Sequence, residues 1–539
     1  MMETTRATRG MVVAPHHLAA EAGASVLRDG GNAIEAMVAA AAAIAVVYPH
    51  MNGLGGDNFW LISKAGQPPV GIDACGAAGQ LASPAFYRER GFGPNEAAPA
   101  IPSRGPLAAL TAAGAISGWR AALELSKTWG GHLPLSRLFE DAIHHAKAGA
   151  PVTATQHNNT RTKRAELEPV RGFADLFLPD GQVPATGVLF TNVKLASTLA
   201  HLASTGLDDF YRGELARGMA RELELAGSPL RLADFEAHAA QTVAPLKVKL
   251  KAGRVYGMPP PTQGLASLMI LGIFDQLRRP RVDSFAYVHG LVEASKRAFI
   301  VRDAHVTDPL FMTADPSSFL TRNALANEAK QIDPKNALPW PHVAKPGDTV
   351  WLGAIDRHGN AVSFIQSVYW EFGSGLVLPS SGIVWQNRGT SFALDETRQN
   401  ALKPGRKPFH TIQPAMALLE DGRIMPYGTM GGEGQPQTQA MIFTRHVLYG
   451  QDLQQAINAP RWLLGRTWGN AFMNLRLESR FPPRVVASLR EAGHEVAVVG
   501  PFDETMGHAG ALVLHRNGAA AGVIEGAADP RGDGRAAGF

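Results

Sequence analysis

One cysteine in 539 residues, Cys75, excludes an internal disulfide and any zinc site built from several thiolates, and it removes the need for an oxidising compartment. Long apolar runs are missing too. The longest, Ala33 to Val47, is 15 residues rich in alanine, short of the ~20 that a membrane-spanning helix needs, so it reads as a buried helix. The opening MMETTRATRGMVVAPHH has no continuous apolar stretch behind its charges, which is not the pattern of a secretory signal. The expectation is a cytoplasmic protein with no membrane partner. A formal charge of +4 and a pI of about 9.1 are mildly basic, but the excess is spread along the chain. Its densest cluster, Leu277 to Arg281 (LRRPR), reads as a solvated loop and not as a nucleic-acid surface. Repeats and low-complexity segments are absent.

What is present is the composition of a soluble globular protein, 45% hydrophobic and 18% charged, long enough for one large or two or three ordinary domains. The first third is helical in pattern. Gly30 and Gly31 suit a left-handed helix stop, and Asn32 offers an N-cap to the alanine-rich helix. A glycine turn, Gly53 to Gly56, then feeds an apolar strand from Phe59 to Ile62. Further helices are predicted in RAALELSKTWG, LSRLFEDAIHHAKAG and DSFAYVHGLVEASKRAFIVRDA. From Val306 to Pro346 the chain turns irregular, rich in Pro, Asn, Asp and Lys. There follows GDTVWLGAIDRHGNAVSF, Gly347 to Phe364, two apolar strands joined by a tight polar turn. The remainder alternates strands with two helical patterns, QPQTQAMIFTRHVLYG and PPRVVASLREAGHE, and ends in a strand pair around GALVLHRNGAAAGVIEG.

A threonine at the mouth of a strand, Thr349, invites a chemical reading. Its hydroxyl is a weak nucleophile that needs a base, which can be a histidine, a lysine, or its own α-amine once the preceding peptide is cut. An α-amine titrates near 7.7 to 8.0, roughly where a base is useful at neutral pH. Taken alone, Thr349 is equally an ordinary β-branched residue entering a strand.

The whole chain, however, resembles the γ-glutamyltranspeptidase family of N-terminal-nucleophile hydrolases. The similarity runs in order through GMVVAPHHLAAEAGASVLRDGGNAIEAMVAAA, YPHMNGLGGDNFWLI, PPPTQG, EASKRAFIVRDAHVTDP, DRHGNAVSF, FGSGLVLPSSGI, KPGRKPFHTIQP, GTMGGEGQPQ and GAADPRGDGRAAGF. The resemblance implies an α+β fold, the four-layer αββα sandwich of N-terminal-nucleophile hydrolases. It implies a precursor that cuts itself between Asp348 and Thr349, seven residues before Asp356 of the D-x-x-G-N-A-V turn. Residues 1–348 would form the large subunit and 349–539 the small one, intertwined as one domain, with a homodimer of the processed pair as a further expectation. It also implies that Thr349 attacks an amide, that Ser367 stands where a second family hydroxyl assists it, and that Gly431 and Gly432 supply the oxyanion hole. No cofactor and no metal are implied.

The pattern departs from the family at the substrate. Cys75 and Gly76 stand where an Arg-Glu pair would hold a glutamyl α-carboxylate, and a thiol cannot replace a guanidinium fork. Thr390 and Ser391 replace paired aspartates that would hold the amine, His410 and Thr411 replace paired serines, and Tyr369 replaces an asparagine. Arg388 is a new charge in that segment, either a carboxylate ligand, half of a structural salt bridge or an exposed loop residue; His410 either donates to substrate or is a satisfied core or loop histidine. The expected substrate is a small carboxylate-bearing amide, as in the oxamate amidohydrolase branch that the chain resembles. A γ-glutamyltranspeptidase or glutathione hydrolase, a cephalosporin or glutaryl acylase, and a non-catalytic scaffold are the alternatives. His144 and His145 lack ligand spacing, GLGGDNF lacks the Lys-Ser/Thr of a phosphate loop and reads as core, and Glu293, Lys296 and Arg297 read as a solvated or structural helix face.

Overall fold

A computed structural model describes residues 2–96, 98–340, 348–465 and 473–539. Fourteen strands make two large sheets. They are β1 (Thr5–Ala7), β2 (Gly10–Ala14), β3 (Asp57–Ser63), β4 (Val70–Ala74), β5 (Gln241–Val243), β6 (Leu246–Leu250) and β7 (Gly253–Gly257), then β8 (Asp348–Asp356), β9 (Ala361–Tyr369), β10 (Ala415–Leu419), β11 (Ile424–Thr429), β12 (Ala509–Leu514), β13 (Ile524–Ala528) and β14 (Arg535–Gly538). One sheet runs β1-β13-β12-β11-β10-β7-β6 and the other β14-β2-β8-β9-β3-β4-β5. All the pairings within them are antiparallel.

Strand alternation sorts the apolar residues into layers. On β3 and β8, Phe59, Leu61, Trp351 and Ile355 point between the sheets and meet Met416, Ile424 and Leu512 of the opposite one. Their alternates, Trp60, Ile62, Val350, Leu352 and Ala354, point outward onto the helices His17–Arg28 and Ala33–Val47. The other sheet turns Val255, Ala417, Met425 and Val513 onto helices Gly264–Gln276, Phe285–His305 and Gly434–Phe443. The result is helix, sheet, sheet, helix, the four-layer architecture expected.

Trp351 locks the sheets together. Its Nε1 donates to Ser363 Oγ at 3.0 Å, and its ring lies on Gly428 and Gly510 of the opposite sheet. A Cβ built on Gly428 would come within 2.1 Å of the indole, and one on Gly510 within 2.5 Å. Only glycine admits that approach.

Local expectations held well. The alanine-rich helix spans Ala33–Val47, entirely buried, and Asn32 caps it in a capping box with Glu35. Gly30 has φ 91°. Two details differ. The predicted irregular stretch contains a helix, Arg322–Lys330, N-capped by Thr321, whose scarce apolar residues hide its period. Glu293 and Lys296 are buried in an ion pair of 2.7 Å, so that face is structural and not solvated. They sit with His289 and His494, and the ligand atoms of His289, Glu293 and His494 lie within 4.8 Å of one another. The Lys296 ammonium on Glu293 already supplies the positive charge that a metal would bring. No helix of the described residues is long and apolar enough to cross a membrane.

Candidate active site

The site residues collect at one end of the sandwich because strand polarity brings them there. In one sheet, β8 begins at Asp348, β9 ends at Tyr369 and β3 begins at Asp57; Asp348 pairs with Tyr369, and Ser367 with Asp57. In the other sheet β7 ends, β10 begins just after His410 and Thr411, and β11 ends just before Gly431 and Gly432. Residue parity puts Thr349, Ser367 and Asp57 on the face between the sheets, with Trp351, Ile365 and Phe59. All three are buried.

Thr349 lies where the ladder is irregular. Between the pairs Asp348–Tyr369 and Val350–Gln366, β8 advances one residue fewer than β9, a bulge of the kind that re-aims a side chain at a strand end. Beyond it Tyr369 adopts φ 85°, a left-handed conformation costly for a bulky residue and found where surrounding structure imposes it. The Tyr369 N–H donates to Ser367 Oγ at 2.8 Å, and its ring carries the Arg388 guanidinium at 3.7 Å.

A continuous chain of contacts leads from there to the glycine turn. Arg388 Nη1 donates to Thr411 Oγ1 at 3.3 Å. The Thr411 carbonyl accepts from Gln263 Nε2 at 2.5 Å, and the same amide donates to the Gly432 carbonyl at 2.8 Å. Arg302 holds Gln263 Oε1 at 3.0 Å and Glu433 Oε1 at 2.8 Å, bracing the turn from outside. Gly431 and Gly432 have φ 113° and 52°, which glycine alone takes freely, and their N–H groups donate to no acceptor among the described residues.

Electrostatically the site is a buried cation facing a buried acid. Arg388 is 1% exposed and its Nη2 has no hydrogen-bond partner. Burial lowers its pKa to about 10, opposed by Tyr369, Asp57 and Cys75, so it stays charged at neutral pH. Asp57 Oδ1 accepts from the N–H groups of Gly76 and Gly114, both at 3.0 Å, and from Gln386 Nε2 at 3.1 Å, while Oδ2 has no hydrogen-bond partner. Burial raises the Asp57 pKa to about 7 against those bonds and the Arg388 charge. His410 reaches across from the other sheet with its ring edge-on to Phe59 and Nε2 3.4 Å from Asp57 Oδ2. Burial, Arg388 and Lys407 push its pKa well below the usual range, so the ring is neutral.

The structure thus gathers Thr349, Ser367, Tyr369, Arg388, His410, Thr411, Gly431 and Gly432 at one end of the sandwich. Of Asp348 only the backbone is described, at the start of β8. Where a family arginine clamp would lie, the space is taken: Cys75 is buried, and a Cβ on Gly76 would meet the Ala112 carbonyl oxygen at 1.8 Å. Thr390 turns back to the Asn387 carbonyl at 2.9 Å. His144 and His145 lie on a separate helix, their rings 5.3 Å apart. Sequence reasoning missed Asp57, Gln263, Arg302 and Gln386. For Asp57 a signal existed, since a charged residue opening the apolar strand of GGDNFWLI has to be satisfied inside the core; the others form contacts across hundreds of residues that no local pattern announces. A cavity of about 660 Å³, lined by Asp73, Pro260, Asp308, Leu310 and Lys407 among others, opens beside this end. Its Asp73–Lys407 ion pair of 2.7 Å backs onto Cys75, whose N–H donates to Asp73 at 3.0 Å.

Two facing antiparallel sheets between helical layers, with the site where their strand ends meet, are the fold of N-terminal-nucleophile hydrolases. Comparison with known proteins narrows this class: the sequence profile of the family Gamma-glutamyltranspeptidase matches residues 19–539, and the chain belongs to that family. It is 53% identical over 540 residues to the oxamate amidohydrolase proenzyme of Klebsiella pneumoniae, covering all of both chains. It is 40% identical over 544 residues, again all of both, to the glutathione hydrolase-like YwrD proenzyme of Bacillus subtilis. Among solved structures, cephalosporin acylase from Bacillus halodurans superposes with a TM-score of 0.89 at 32% identity, over 100% of this chain and 97% of that one.

Proposed function

We propose that the protein is an autoprocessing amidase that hydrolyses a small amide bearing a carboxylate beside the scissile carbonyl, with oxamate as the representative substrate. Self-cleavage at Asp348–Thr349 frees the Thr349 amine. The Thr349 hydroxyl then attacks the substrate carbonyl carbon while the amine takes its proton, and Gly431 and Gly432 receive the oxyanion through their N–H groups. Collapse of the tetrahedral intermediate breaks the C–N bond, the leaving nitrogen takes the proton, and water cleaves the ester. Ser367 supports the nucleophile, and Tyr369 and Thr411 hold Arg388 in place.

The observation that carries this reading is Arg388, a buried guanidinium with one face on Tyr369, one nitrogen on Thr411 and the other without a partner. A buried charge left half-paired costs several kcal/mol, and a small carboxylate would complete it. The full-length similarity to an oxamate amidohydrolase proenzyme supports the same substrate class. The test compares ammonia release from oxamate with amine release from a γ-glutamyl anilide. Oxamate is expected to be the better substrate, and faster turnover of the anilide would overturn the reading. On a denaturing gel, wild type should give two bands near two thirds and one third of the mass, and Thr349→Ala one inactive band.

A further inference from the structure

Arg388 and Asp57 are opposite charges buried side by side that do not meet. Each perturbs the other's ionisation, yet no Arg388 nitrogen lies within 4.0 Å of an Asp57 oxygen among the described residues. Among the described residues each keeps one atom with no hydrogen bond, Nη2 on the arginine and Oδ2 on the aspartate, the latter 3.4 Å from Nε2 of the neutral His410. Neighbours with free side-chain torsions and opposite charge ordinarily close into a salt bridge. Here each is held back. Tyr369 and Thr411 fix the guanidinium, and three donors on Oδ1 fix the carboxylate. A molecule that presents an acceptor to Nη2 and an N–H donor to Oδ2 would satisfy both.

Resting on the oxamate-type reading above, we propose that Asp57 is a substrate-reading residue: its Oδ2 accepts an N–H of the primary amide while Arg388 holds the adjacent carboxylate. The pocket then selects an amide nitrogen next to a carboxylate, and it selects against esters and fully N-substituted amides, which leave Oδ2 buried and unpaired. Asp57 binds and transfers no proton; the proton for the leaving nitrogen comes from Thr349 through its amine, as above.

The position opposes a purely structural role. The loop-holding bonds to Gly76, Gly114 and Gln386 all fall on Oδ1, so an asparagine could keep them with its carbonyl. Its amide nitrogen would then replace Oδ2, a donor where an acceptor is required. The groups that bear on Asp57 are Arg388 and His410 from the loops opposite, Cys75 from the end of β4 and Tyr211 from the helix Asp209–Arg212. At neutral pH only Arg388 among these is charged, since burial holds His410 neutral and both the Cys75 thiol and the Tyr211 phenol protonated.

The test uses two substrates that share one acyl group, oxamate and the monoethyl ester of oxalate, so that only the leaving group differs. For Asp57→Asn, kcat/KM on oxamate should fall about 10- to 100-fold and on the ester less than about threefold. Equal losses on both, or no loss on either, would overturn the assignment. Self-cleavage into two bands reports that the variant has folded. If it does not fold, wild type alone decides: the ratio of kcat/KM for oxamate over ester should rise about tenfold from pH 6 to pH 8 as the carboxylate ionises, whereas a flat ratio would refute it. The Thr349 amine serves both substrates and cancels from the ratio. Wild type that hydrolyses neither oxalyl compound would instead bring down the underlying substrate reading, a different result from loss of discrimination.

Discussion

At the residue scale the proposed site rests on two buried charges that differ in geometry. Arg388 presents a planar fork stacked on Tyr369, which a lysine can neither stack nor reproduce as two donors. Arg388→Lys should therefore lower kcat/KM for oxamate by about 10²-fold, roughly 2.7 kcal/mol, chiefly by raising KM, with self-cleavage intact. Steady-state kinetics on processed enzyme check this. Asp57 carries a stability consequence as well. Its folded pKa, raised to about 7 by burial, lies above the ordinary carboxyl value, so its contribution is fully present below about pH 4 and is lost as pH rises through 7. Asp57→Asn removes that term. The melting temperature of the variant relative to wild type should climb between pH 4.5 and pH 7 and stay level above it, measured by thermal unfolding across that range. On the proposed reading, ionisation of Asp57 costs stability and serves binding.

At the element scale, β8 is positioned by what its neighbours lack. Trp351 stands two residues from Thr349 and fills space left by Gly428 and Gly510. Gly428→Ala would force a Cβ into the indole and should destabilise the protein by about 1–3 kcal/mol while slowing self-cleavage. Denaturant unfolding and the band ratio on a gel, followed with time, measure both. Elements of this kind were legible from sequence wherever one period dominated: the β8–β9 hairpin, the buried alanine helix with its Asn32 cap, and the terminal strand pair read directly from pattern. The helix Arg322–Lys330 did not, because it buries only Leu325 and Ala329. At the site, the resemblance to the family singled out Thr349, Gly431 and Gly432. The network of Gln263, Arg302 and Thr411 was illegible, since its members become neighbours only when two helices pack on one sheet. GLGGDNF was legible as core, where Oδ1 of Asp57 holds Gly76, Gly114 and Gln386, and the role proposed for Oδ2 left no local signal.

At the scale of the whole molecule, the two segments on either side of Asp348–Thr349 share both sheets. In one, β8 lies between β2 of the first segment and β9 of the second; in the other, β10 lies between β7 of the first and β11 of the second. With the chain cut there as proposed, neither large sheet belongs to one piece alone, so the pair should elute as one species and unfold in a single transition by urea titration. On that proposed cut, the interleaving would also make maturation a ratchet. Before the cut, refolding is a first-order event within one polymer. Afterwards it requires two separate polymers to find each other, and yield should fall on dilution for processed wild type but not for Thr349→Ala. The freed threonine amine would then be bought with reversibility: a mature molecule, once denatured in dilute solution, has lost the covalent memory that assembled it.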